Sequence, residues 1–106
     1  MPGGDKALAS FVQSYFADVT SNRDRTWGQL TPAMQSAAGG RSGYDGFWGS
    51  IDRVEVKQTR ADAQAKEAVV TLTYVRDDGT KSTETHRIDV VAKDGAYLID
   101  SDRQGG

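Results

Sequence analysis

His86 is the only histidine in the chain, and Glu84 stands two residues before it in a run that alternates apolar and polar side chains. In such a run both residues face the same way, toward Tyr74 on the neighbouring run. An imidazole oriented by a carboxylate is a general base, since its ordinary pKa near 6.5 lets it take and return a proton close to neutrality. The plainer reading of the same residues is a solvated strand end or a hydrogen-bonded core rim. Trp27, Phe47 and Trp48 offer a different chemistry, an aromatic wall for an apolar or sugar-like ligand, or simply the core of a small domain. Asp100 and Asp102 close the last apolar run and bring two carboxylates near one another. One strand supplies too few oxygens for calcium and Arg103 competes for them, so this end reads as a solvated terminus and no metal is expected.

These residues need a sheet to hold them, and the second half of the chain spells one out. Ala68 to Arg76, Lys81 to Lys93 and Ala96 to Arg103 are rich in Val, Ile, Thr and Tyr, the types that suit a pleated surface. Asp77-Asp78-Gly79 and Asp94-Gly95 separate them, and Asp-Gly between alternating runs is a strong hairpin signal because glycine adopts positive φ freely. A three-residue loop followed by a two-residue loop fixes the facing side chains. One face then carries Val70, Leu72, Tyr74, His86, Ile88, Val90, Tyr97 and Ile99. The other carries Thr71, Thr73, Thr83, Thr85, Arg87 and Asp89, and in this register Asp100 and Asp102 as well.

The apolar face requires a cover, which the first half supplies. From Asp5 to Ser21, Leu8, Phe11, Val12, Tyr15, Phe16 and Val19 recur at three- and four-residue steps, the stripe of an amphipathic helix with Asp5 as its cap. A short second helix holds Trp27 and Leu30. Thr31-Pro32 restarts the chain, with threonine as cap and proline at the first helical position. Ala38 to Gly43 reads as a loop between helices or a lid, Tyr44 to Ile51 as a short aromatic helix, and Arg53 to Arg60 as a half-buried strand. Residues 5–103 form one domain of α+β class, helices on one antiparallel sheet, with flexible ends at 1–4 and 104–106.

Composition narrows the function. Thirteen Lys and Arg against fifteen Asp and Glu give a net charge of −2, so no basic field draws nucleic acid. The absence of cysteine removes disulfides, thiolate metal sites and thiol nucleophiles. No apolar run approaches the roughly 20 residues of a membrane span, no signal-peptide pattern opens the sequence, and no direct membrane insertion is expected of this segment. The polar sheet face, interrupted by Val69, Val75, Val91 and Leu98, suits a monomer or a weak homodimer.

The helix ending in Tyr15-Phe16, the stretch TWGQLTPAMQ at Thr26 to Gln35, the run GGRSGYDGFWGSI at Gly39 to Ile51 and the terminal YLIDSDR at Tyr97 to Arg103 carry a resemblance over residues 6–103. They resemble nuclear transport factor 2-like (cystatin-like) domains. More narrowly, they resemble the extracytoplasmic C-terminal sensor domains of actinobacterial membrane-bound serine/threonine protein kinases. The resemblance implies a cone-shaped fold whose curved sheet and helices enclose a cavity, lined by Tyr15, Trp27, Phe47, Trp48, Leu72, Tyr74 and His86, with Glu84 at its mouth. It implies a non-catalytic sensor that binds an unknown small molecule or protein partner, with no cofactor. Similar folds also serve isomerases, dehydratases and hydrolases, which here would use His86 with Glu84 or Tyr74. Ketosteroid isomerase-like enzymes pair an early-helix tyrosine, the place of Tyr15, with a sheet aspartate. In the register above Asp89, Asp100 and Asp102 all point away from that side.

Overall fold

The computed structural model describes residues 4–104. Helix α1 spans Asp5–Asp18, followed by α2 (Arg23–Trp27), α3 (Pro32–Ala37) and α4 (Gly40–Gly49). Strands β1 (Ile51–Asp62), β2 (Glu67–Arg76), β3 (Lys81–Lys93) and β4 (Ala96–Gln104) form one antiparallel sheet in sequence order. No helix among the described residues is long and apolar enough to cross a membrane.

The turns form as their residues dictate. Lys93 pairs with Ala96, and both intervening residues, Asp94 and Gly95, have positive φ (53° and 79°), the two-residue reversal whose twist matches the flanking strands. Gly79 takes φ 87° at the end of the three-residue loop, and Tyr74 faces Ser82 as an even-to-even register requires. All eight residues of the expected inner face are buried. Leu8, Val12, Tyr15, Phe16 and Val19 cover them, and the core also takes in Leu30, Tyr44, Trp48 and Ile51. On the outer face Thr71 meets Thr85 and Thr73 meets Thr83 through their hydroxyls. Thr73 and Val75 are nevertheless buried there, because Glu55 and Arg53 of β1 and Thr83 and Lys81 of β3 pair on either side of them.

Several expectations are corrected. Gly4 is the N-cap of α1, and the Asp5 carboxylate instead accepts from the Ala63 amide, tying the helix start to the β1–β2 turn. The Ala38–Gly43 stretch is neither loop nor lid. Gly39 and Gly40 take positive φ and turn the chain directly into α4, so most of the stretch is the first turn of that helix. Gln104 belongs to β4 rather than to a flexible end; residues 1–3 and 105–106 lie outside the described residues. Thr31 does cap α3, accepting from the Met34 amide at 3.2 Å, and Pro32 follows it.

Strand β4 departs furthest from the expected register. Val90 pairs with Ile99 and Asp89 with Ser101, so Asp100 is an extra residue, a bulge that shifts the register of everything after it. The segment before α3 holds the bulge from the sheet edge. Leu30 bridges Ile99 in parallel, Thr31 N–H donates to Ile99 O at 2.9 Å, and the Thr31 hydroxyl donates to Asp100 Oδ1 at 2.8 Å. Beyond the bulge, Asp102 lies opposite Ile88 and turns inward.

Candidate functional site

The inner face of β3 presents Glu84, His86 and Ile88 in alternation. Across from it, β2 presents Tyr74 and Val70, and β4 presents Asp102 and Gln104. His86 Nδ1 lies 2.6 Å from Asp102 Oδ1, and its Nε2 lies 2.9 Å from Glu84 Oε1 and 3.1 Å from the Tyr74 hydroxyl. A carboxylate against each ring nitrogen requires a proton on each, so this histidine is an imidazolium that donates both ways. The hydrogen bond to Asp102 is the main cause that raises its pKa above the ordinary histidine value; burial opposes it and Glu84 adds to it.

Above this cluster lies a pocket of about 420 Å³. Tyr15 and Tyr44 reach it from the helices, Phe47 and Trp48 form an aromatic wall with Tyr74, and Met34, Ala38, Gly43, Arg76 and Gln104 complete the lining. The rings of Phe47, Trp48 and Tyr74 lie 4.8 to 6.0 Å apart, two of the three pairs edge to face. Tyr44 donates to the Thr26 hydroxyl at 2.7 Å and meets Tyr15 at 2.9 Å, a buried chain that fixes both phenols. Burial is the largest cause that pushes the hydroxyls of Tyr15, Tyr44 and Tyr74 above the ordinary tyrosine value, so all three stay neutral.

Of the residues singled out from sequence, Tyr15, Phe47, Trp48, Tyr74, Glu84 and His86 therefore meet at one pocket. Trp27 and Leu72 do not line it. Trp27 packs against Tyr44, its ring centroid 5.1 Å away, with the Arg41 guanidinium over the Trp27 ring at 6.0 Å from its centroid. Leu72 is fully buried in the core, paired with Glu84. Asp102 was expected on the outer face and is instead a direct partner of His86, because the bulge at Asp100 turns the strand over. Asp89 does face outward, where it accepts from Ser101 and Arg103. Arg76, Gln104 and Met34 were not anticipated; no spacing in the sequence marks them as lining.

No protein-family model matches the chain, and no curated protein matches it. Among solved structures, the designed nuclear transport factor 2-like protein Rd1NTF2_05, carrying five substitutions, is similar at a TM-score of 0.67 and 13% identity, over 94% of this chain and 98% of that one. At that identity the likeness speaks for the fold alone. The four helices on a four-stranded antiparallel sheet are thus an α+β arrangement of nuclear transport factor 2-like fold.

Proposed function

We propose that this chain is a non-catalytic binding domain that takes a small molecule in the pocket between α4 and the inner face of the sheet. One observation carries the reading: both nitrogens of His86 are engaged by carboxylates, so no ring lone pair is left to abstract a proton. The pocket otherwise has the makeup of a ligand site, mostly apolar walls with a few convergent polar groups. The sequence likeness to sensor domains of membrane-bound serine/threonine kinases supports the wider setting, an extracytoplasmic sensor that reports occupancy to a kinase elsewhere in the protein. A coding sequence without a kinase domain and membrane span upstream would remove that setting and leave the binding function.

The test is nitrogen NMR of His86 combined with ligand titration. Two protonated ring nitrogens at neutral pH, and shifts at Trp48 and Glu84 on adding small amphipathic molecules, are expected. A neutral ring with one bare nitrogen facing the pocket would overturn the reading. A second reading, an isomerase, dehydratase or hydrolase, draws on one feature: the Tyr74 hydroxyl accepts from His86, and its own proton has no partner among the described residues. An acid built this way would be disabled by Tyr74→Phe, whereas a binding domain would keep its fold and lose only affinity.

A further inference from the structure

We infer that the pocket takes a zwitterion of the α-amino acid type with an apolar or aromatic side chain, its ammonium group on Glu84 and its carboxylate on Arg76. The inference rests on the binding function proposed above and names its ligand class. Two carboxylates around one imidazolium leave the floor with a net charge of −1. Each carboxylate gives one oxygen to His86, Glu84 through Oε1 and Asp102 through Oδ1. Glu84 Oε2 and Asp102 Oδ2 have no hydrogen-bond partner among the described residues, and both side chains are partly open to the pocket. An ammonium can donate to Glu84 Oε2, while Asp102 adds negative charge to the floor.

The opposite charge stands beside this cluster. Arg76 lines the same pocket, half-buried, and donates to the Ser82 hydroxyl at 2.9 Å. Among the described residues it has no ion-pair partner, whereas every other arginine except the exposed Arg60 sits in an ion pair. The bond to Ser82 holds the Arg76 guanidinium beside a same-face neighbour of Glu84. Ser82 and Glu84 are successive same-face residues of β3, roughly 7 Å apart. Neighbouring same-face positions thus carry the two opposite charges, within reach of one small ligand that bears an ammonium and a carboxylate on the same carbon. A plain organic cation would lie beside an uncompensated Arg76, and a plain anion would meet two carboxylates; a zwitterion satisfies both. Phe47 supplies the apolar contact. It is 50% exposed, the large hydrophobic left in solvent among the described residues, and it stands on the wall formed with Trp48 and Tyr74.

The experiment is proton–nitrogen correlation NMR of the whole chain titrated with L-phenylalanine, 2-phenylethylamine, 3-phenylpropanoate and indole. L-phenylalanine should bind tightest, and the two compounds lacking the carboxylate or the ammonium should bind about 10-fold or more weakly, as expected for loss of one charge-assisted hydrogen-bond set. Arg76→Gln should erase the advantage of L-phenylalanine over 2-phenylethylamine while leaving the amine's own affinity unreduced. Glu84→Gln should erase the advantage over 3-phenylpropanoate. If indole shifts Trp48 and Tyr74 but L-phenylalanine binds no better than either half of itself, the zwitterion inference fails and the binding function stands. If none of the four shifts those residues, both fail together.

Discussion

Replacing Asp102 with asparagine keeps the shape of the side chain and removes the charge that holds His86. The bond at 2.6 Å joins two side chains that are only 11% and 23% exposed, so water competes for it weakly. A hydrogen bond between charged groups in such surroundings contributes ~1.5–3 kcal/mol. The pH dependence gives the effect its signature. Because the folded protein raises the pKa of His86, the stabilisation is fully present below the unfolded value of about 6.5 and is lost as pH rises through the folded value. Urea unfolding of the parent chain should therefore show a lower free energy at about pH 9 than at about pH 6, in a range where carboxylates stay ionised throughout. In Asp102→Asn the loss should be greatest at the lower pH, and most of the difference between the two pH values should disappear. Should the variant and the parent fall in parallel, with equal drops, Asp102 does not hold His86 and the inward turn of β4 is wrong.

Four further outcomes follow from the same geometry. A Cβ on Gly43 would stand 2.5 Å from the carbonyl oxygen of Ala38, a backbone atom, so Gly43→Ala should destabilise by about 1–3 kcal/mol, whereas Gly46→Ala, with nothing near, should stabilise by about 0.5–1 kcal/mol; urea unfolding reads both. Tyr15 has its hydroxyl pKa raised in the folded state, so stability should fall as pH rises above about 10, where the unfolded phenol ionises, and Tyr15→Phe should flatten that alkaline fall in thermal melts. Leu72 is fully buried beneath the site, and Leu72→Ala should cost about 2–5 kcal/mol in chemical denaturation. Deleting Asp100 removes the bulge but leaves Asp89 facing Ser101 and Ile88 facing Asp102, so His86 should keep its raised titration by NMR while stability drops through loss of the Thr31 contact; a return of His86 to ordinary titration would show that the bulge itself, not the register, holds the pair.

Most of the scaffold was legible because local chemistry dictates it. The two Asp-Gly reversals set strand ends and parity, and the stripe from Leu8 to Val19 has a single way to hide. The misreadings have local causes too. A cluster of glycines from Gly39 to Gly43 suggests a loop by composition, yet only Gly39 and Gly40 use positive φ, and the remainder runs helically because Gly43 lets α4 pass close to the end of α3. Trp27 carries an aromatic ring like Phe47 and Trp48, and nothing in its spacing says that Arg41 and Tyr44 would claim it.

Asp102 was hidden for a sharper reason. Parity propagates along a strand only until one residue is added, and the run Ile99-Asp100-Ser101-Asp102 contains no glycine or proline to announce the addition. The charges do announce it once the unbulged pairing is written out. Continuing the register of Val90 with Ile99 would set Asp89 directly opposite Asp100 and His86 opposite Arg103, two like-charged pairs, each destabilising, against one opposite-charged pair of Arg87 with Asp102. One extra residue replaces both: Asp89 meets the Ser101 hydroxyl and the Arg103 guanidinium outside, and His86 meets Asp102 inside. The bulge therefore gives Asp89 and His86 each a partner of opposite charge while setting Arg87 opposite Arg103, and the same step that parts Asp89 from Asp100 on the outer face builds the site on the inner one.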